Sequence, residues 1–212
     1  MTDLTGNIFF EGPAGRLEAI LKEPSHVPSR VAIVCHPHPL FGGTMHNKVV
    51  YRIAKAFQQS GFSVLRFNFR GAGRSQGQHD NGRGEQDDLR AAIRFMEEKY
   101  EGAQVWLAGF SFGARVILQA ACEERRIRAL IAAGTPASRY DFKSAIPCPV
   151  PRLFVQGALD EFGSVADVEK LIEGMDGPTS LKVIEGADHF FEGRLDELAQ
   201  AVSEFISSLD EG

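Results

Sequence analysis

Ser111 stands in Gly109-Phe110-Ser111-Phe112-Gly113, directly after the apolar run 105–108 and directly before a helix-like stretch over 114–124. A chain that turns from strand to helix within two residues leaves almost no room around its apex. Glycine is wanted on both sides, and the apex side chain is lifted clear of the sheet. A serine hydroxyl at such an apex becomes a nucleophile once a neighbouring base takes its proton, and the base needs a carboxylate to fix its tautomer and stabilise the imidazolium. Both partners follow downstream. The apolar run 153–156 leads into Gly157-Ala158-Leu159-Asp160, and the run 181–184 leads into Glu185-Gly186-Ala187-Asp188-His189. Serine, aspartate and histidine therefore each follow a strand-like run, which is chemistry for acyl transfer. Glu161 competes with Asp160 for the acid role, and the position at the strand end favours Asp160. Asp188 is adjacent to His189, and neighbouring side chains usually diverge, so it is a poor orienter.

The elements that must position these groups alternate along the chain. Residues 7–10 and 16–21, joined through Glu11-Gly12-Pro13-Ala14-Gly15, read as an antiparallel hairpin. Continuous short apolar runs at 31–35, 63–67, 105–108, 129–133, 153–156 and 181–184 read as buried parallel strands. Val49, Ile53, Ala56 and Phe57 recur at helical spacing, with Gly61 as a stop. Leu89, Ile93, Met96 and Tyr100 mark a second helix, with Glu85, Asp87 and Asp88 near its amino end, where the helix dipole favours them. Further helices are expected over 114–124, 165–172 and 194–209. Strands joined by helices make a parallel sheet, and ligands collect outside the carboxyl ends of its strands. Ser111, Asp160 and His189 all fall on that edge.

Taken jointly, five segments resemble the successive signatures of small, lidless bacterial α/β-hydrolases. They are Cys35-His36-Pro37-His38-Pro39-Leu40-Phe41-Gly42-Gly43, Asn68-Phe69-Arg70-Gly71-Ala72-Gly73-Arg74-Ser75, the serine elbow, residues 157–160, and Ala187-Asp188-His189-Phe190-Phe191. The resemblance covers nearly the whole chain. It implies an eight-stranded, mostly parallel sheet with helices on both faces, no large cap, and hydrolysis of an ester or related acyl group. Ser111 would then be the nucleophile, His189 the base and Asp160 its orienter. The segment His-Pro-His-Pro departs from the commoner His-Gly pattern. One oxyanion donor is expected from Phe112, the residue after the nucleophile, and the other from the loop after the 31–35 strand. Pro37 and Pro39 have no N–H to give, which leaves His38 or Leu40, and counting from the His-Gly position of relatives favours His38. Of the sixteen phenylalanines, Phe41, Phe110, Phe190 and Phe191, with Phe112, lie beside the motifs and are expected to wall an acyl pocket.

Composition bounds the rest. At 212 residues, 43% hydrophobic and 24% charged, the chain suits a single domain over 1–212 with a substantial core. A net charge of −5 argues against a nucleic-acid or anionic-membrane surface as partner, and Arg125, Arg126 and Arg128 read as a solvated helix end. Cys35, Cys122 and Cys148 show no metal-like spacing and leave one thiol over in any disulfide scheme, so a reducing compartment is expected, with Cys35 buried and structural. The start Met-Thr-Asp-Leu-Thr lacks a basic segment followed by an apolar core, and no run approaches the ~20 apolar residues of a membrane span. A cytoplasmic protein is the expectation. His36, His38 and His46 lack a helical His-Glu-x-x-His pattern, so no metal is expected. Gly71-Ala72-Gly73-Arg74-Ser75-Gln76 has glutamine where a dinucleotide fingerprint has its third glycine, so no nucleotide cofactor is expected either. Only residues 136–151 separate two strands where many lipases and peptidases of the resembled fold carry a cap, with Tyr140 and Phe142 as an expected rim. These features together point to a serine carboxylesterase acting on small, short-acyl esters. A thioesterase or small peptidase would use the same residues, and a noncatalytic binding protein is the alternative of a different class.

Overall fold

The computed structural model describes residues 6–121, 126–143 and 148–210. Cys122, Arg125, the amino-terminal pentapeptide and the expected end of the helix at Glu124 lie outside them. The strands are β1 (Gly6–Gly12), β2 (Gly15–Lys22), β3 (Arg30–Cys35), β4 (Ser63–Phe67), β5 (Gln104–Phe110), β6 (Ile127–Ala133), β7 (Arg152–Gly157) and β8 (Thr179–Ile184). Between them run α1 (Lys48–Gln59), α2 (Arg83–Lys99), α3 (Phe112–Ala120) and α4 (Val165–Glu173), and α5 (Leu195–Asp210) follows β8. One eight-stranded sheet results, in the order β1-β2-β4-β3-β5-β6-β7-β8. The β1–β2 hairpin is antiparallel and joins β4 antiparallel, while every pairing from β4 to β8 is parallel.

The continuous apolar runs have their cause in this layering. Successive residues of a strand face opposite sides, so a strand covered on both sides must be apolar at every position. In the central strands Ile33, Leu107 and Leu130 face α2 and α3, whereas Val34, Trp106, Ala108 and Ile131 face α1 and α5. Asn47 starts α1 by accepting from Val49 N–H at 2.9 Å, and its buried face, Val50, Ile53 and Phe57 among others, packs on the sheet. Each such side chain removed from water contributes about 1.5–3 kcal/mol. Edge strand β8 alternates instead, its outward residues left to solvent.

Two of the acidic residues at the start of α2 do more than complement the helix dipole. Glu85 and Asp88 are fully buried. Asp88 receives a forked contact from the Arg70 guanidinium, with Arg70 Nη2 at 2.7 Å, and also accepts from Arg70 N–H at 2.9 Å. Glu85 accepts from Asp80 N–H at 2.9 Å and Gly82 N–H at 2.7 Å. These carboxylates hold down the long loop that leaves the carboxyl end of β4, beside the edge where the candidate site lies. Among the described residues, no helix is long and apolar enough to cross a membrane.

Candidate active site

Because β3 and β5 to β8 run in parallel, the loops after β3, β5, β6, β7 and β8 leave the same edge of the sheet. Ser111 sits between β5 and α3 with φ 56° and ψ −114°, a left-handed conformation unfavourable for a residue with a Cβ and held only where surroundings enforce it. Those surroundings are visible at the flanking glycines. A Cβ on Gly109 would meet the Gly113 carbonyl carbon at 2.3 Å, and one on Gly113 would meet the Cys35 oxygen at 2.4 Å. Both are backbone collisions that no rotamer relieves, so the turn needs glycine at each place. Ser111 N–H donates to Ala133 O at 2.9 Å, tying the elbow to β6.

The residues singled out after β5, β7 and β8 come together. Ser111 Oγ lies 3.0 Å from His189 Nε2, and His189 Nδ1 lies 2.8 Å from Asp160 Oδ2. Asp160 is buried and saturated: Oδ2 also accepts from Gln156 Nε2 at 2.8 Å, and Oδ1 accepts from Phe162 N–H at 2.8 Å and Gly163 N–H at 3.2 Å. Glu161 is exposed. Asp188 turns away from the imidazole and accepts from Glu192 N–H at 2.9 Å. The His189 ring is packed between Phe162, centroids 4.5 Å apart, and Phe110, 5.0 Å apart. Orientation of the imidazole is thus fixed by a carboxylate on one edge and by rings on its faces.

Two backbone donors on the loops flanking the elbow are left unused. Phe112 N–H, at the first turn of α3, and His38 N–H, in the loop after β3, find no protein acceptor among the described residues. Leu40 N–H is occupied by His38 Nδ1 at 3.3 Å, and its side chain is exposed, so of the two loop candidates His38 is the one left with a free donor. The His38 ring packs on Phe41, Phe112 and His79. Burial, reinforced by the neighbouring His79, holds its imidazole below the ordinary range. His36 is a structural tie: Nδ1 donates to Pro37 O at 2.6 Å, Nε2 accepts from Phe69 N–H at 2.9 Å, and burial lowers its pKa to about 4. Both ring nitrogens are used by backbone, leaving no lone pair for a ligand. Among the described residues no group of three metal-ligating side chains occurs. Cys35 is buried, and burial pushes its thiol up, the protonated, unreactive form.

A cleft of about 360 Å³ opens over Ser111 and His189. Phe41, Phe112 and Phe190 line it, together with Tyr140. Three expectations are corrected here. Phe110 and Phe191 do not line the cleft; both are fully buried, Phe110 beneath His189 and Phe191 in the core against α5. Phe191 reverses direction from its neighbour because its own φ is 53°, a turn that the pair of phenylalanines does not announce. Phe142 is buried in the core rather than at the rim. Conversely Phe162, Arg139 and Asn47 line the cleft and Gln156 supports Asp160, although nothing in their local sequence marks them.

The fold and this edge define a class, and the chain's likeness to known proteins agrees with it. Residues 34–190 match the family described by the alpha/beta hydrolase fold. The chain belongs to the α/β-hydrolase family. It is 38% identical to an uncharacterised protein of Rickettsia prowazekii over 95% of its own length and 89% of that protein's. An alpha-beta serine hydrolase homologue from Coxiella burnetii is 40% identical and superposes with a TM-score of 0.90, covering 96% of this chain and 97% of that one. An α/β serine hydrolase without lid from Xanthomonas campestris is 36% identical, with a TM-score of 0.91 over 98% and 96% of the two chains.

Proposed function

We propose that the protein is a serine carboxylesterase for small, short-acyl esters. The observation that carries this reading is the continuous line from Asp160 Oδ2 through His189 to Ser111 Oγ, with links of 2.8 and 3.0 Å. In the acylation step Ser111 Oγ forms a bond to the substrate carbonyl carbon while its proton passes to His189 Nε2. Asp160 keeps the proton on Nδ1 and stabilises the imidazolium. The developing oxyanion is held by Phe112 N–H and His38 N–H. The carbon–oxygen bond to the alcohol then breaks, and His189 returns the proton to that leaving oxygen. Water repeats the cycle on the acyl-serine, releasing the acid and restoring the Ser111 hydroxyl.

Substrate size follows from the cleft. Residues 134–151 alone separate β6 from β7, too few for a covering helical domain, and the Xanthomonas relative is described as lacking a lid. Each methylene enclosed by a deep pocket would add about 0.8 kcal/mol, but an open cleft encloses only the first few. The test is kcat/KM for nitrophenyl esters from acetate to palmitate, below and above their solubility limits. Specificity should rise over the first carbons and then flatten or fall, with no jump as emulsion forms. A steady rise to palmitate, or a jump at the emulsion, would contradict the reading. Hydrolysis of thioesters or anilides in preference to all of these would move the assignment to a thioesterase or peptidase.

A further inference from the structure

Among the residues that line the cleft, Arg139 carries the one permanent charge, and no carboxylate lines it. The chain has 28 acidic against 23 basic residues, so carboxylate partners are plentiful. Other arginines find them: Arg30 pairs with Asp210, Arg52 with Asp196, Arg70 with Asp88 and Arg194 with Glu197. Arg139 makes no ion pair among the described residues. Its guanidinium instead lies over the Phe162 ring, 4.7 Å from the centroid, and Phe162 in turn lies 4.5 Å from the His189 ring. A positive charge is therefore held within two ring spacings of the imidazole, on a support that leaves its forked N–H edge free. A second guanidinium stands behind the same wall. Arg115 lies 4.2 Å from the centroid of Tyr140, which lines the cleft, and Arg115 Nε is buried without a hydrogen-bond partner among the described residues. The wall formed by Tyr140 and Phe162 thus carries the exposed guanidinium of Arg139 at the cleft and that of Arg115 behind it, a positive potential beside an otherwise largely apolar lining.

We propose that the ester this site takes bears a carboxylate, and that Arg139 is the specificity-determining residue that receives it. This rests on the esterase reading above and names its substrate class. A guanidinium presents two parallel N–H donors that match the two oxygens of a carboxylate, and such a charge-assisted pair fixes orientation as well as adding affinity. An anionic group a few bonds from the scissile carbonyl would reach it while the carbonyl sits between Ser111 and the two backbone donors.

The experiment compares kcat/KM for matched pairs of esters, each with a free carboxylate or with the same group capped as its methyl ester. In one arm the carboxylate is on the acid side, as in mono-nitrophenyl glutarate; in the other it is on the alcohol side, as in acetylated hydroxybenzoate. The arms distinguish where the charge sits. The wild type should prefer the charged member of at least one pair on the order of tenfold. Arg139→Gln should bring that ratio close to one, and Arg139→Lys, which keeps charge without the fork, should fall between. Added salt should shrink the wild-type ratio. Because the readout is a ratio within one protein, partial loss of folded enzyme cancels. A wild-type ratio near one in both arms, or a preference that survives in Arg139→Gln, would overturn the inference while leaving the esterase reading in place. Failure to hydrolyse any ester, charged or capped, would overturn the esterase reading itself.

Discussion

Two buried carboxylates in this molecule each approach the Nδ1 of a histidine, and the two pairs differ in what lies beyond the ring. Asp160 lies 2.8 Å from His189 Nδ1 in hydrogen-bonding alignment, and the far nitrogen reaches the Ser111 hydroxyl at 3.0 Å. Glu85 lies 2.7 Å from His79 Nδ1, near enough for an ion pair but off the line of a hydrogen bond, and His79 Nε2 is buried with no hydrogen-bond partner among the described residues. Both carboxylates also accept two backbone N–H groups from a neighbouring turn. The shared part is structural: a buried carboxylate has its oxygens satisfied by donors and fastens a loop. The alignment and the hydroxyl at the end of the line are what distinguish one pair from the other, and the proposed chemistry rests on them. The other braces the wall behind His38, whose ring centroid is 4.7 Å from that of His79.

Removing the hydroxyl should have the largest effect. Ser111→Ala should lower kcat on a short nitrophenyl ester on the order of 10⁶-fold while leaving the circular dichroism spectrum unchanged. Next comes the carboxylate that holds the line. Asp160→Asn should cost about 10⁴ in kcat, because an amide offers one acceptor where Asp160 uses two, and His189 loses its tautomer. Glu161→Gln, next door and exposed, should change kcat less than about twofold; the opposite ranking would transfer the role.

The second pair should respond in stability instead. Glu85→Gln is expected to reduce the unfolding free energy by about 1–3 kcal/mol in urea titrations, since one oxygen of a buried acceptor pair is replaced by a donor. Its kcat should fall less than about tenfold. A loss of 10⁴, as expected for Asp160, would erase the distinction between the two pairs.

A third imidazole sharpens the contrast, because His36 has no carboxylate and is bonded only to backbone. Burial lowers its pKa to about 4 from an ordinary 6.5. Above 6.5 neither folded nor unfolded state binds the proton, and its full contribution to stability is present. As pH falls toward 4 the unfolded chain is protonated first, so stability is lost; the share of this group between pH 7 and 5 is at most about 2 kcal/mol. The His36 ring resonances in NMR should stay those of the neutral form at pH 5. Titration near 6.5 would contradict the burial described.

Much of this was legible in the sequence, for reasons that also mark where it stopped. The sheet and its helices are written in apolar runs and helical spacings, and the juxtaposition of Ser111, Asp160 and His189 follows from their places after parallel strands. The glycines of the elbow report a backbone collision that any other residue would create. The missed features are polar contacts between distant segments. Glu85 at the first turn of a helix reads the same whether it is solvated or buried against a loop, and Gln156 at the end of β7 gives no sign that it reaches Asp160. Phe110 and Phe191 were misplaced because adjacency to a motif does not set a side chain's direction. Phe110 is buried beneath His189, and Phe191 is turned inward by a left-handed backbone.

The most direct test of the central claim is covalent labelling by a fluorophosphonate followed by mapping of the labelled peptide by mass spectrometry. Modification should be stoichiometric, should fall on Ser111, should disappear in Ser111→Ala and should slow sharply in Asp160→Asn but not in Glu85→Gln. A label on another residue, or a folded protein that takes none, would contradict the account.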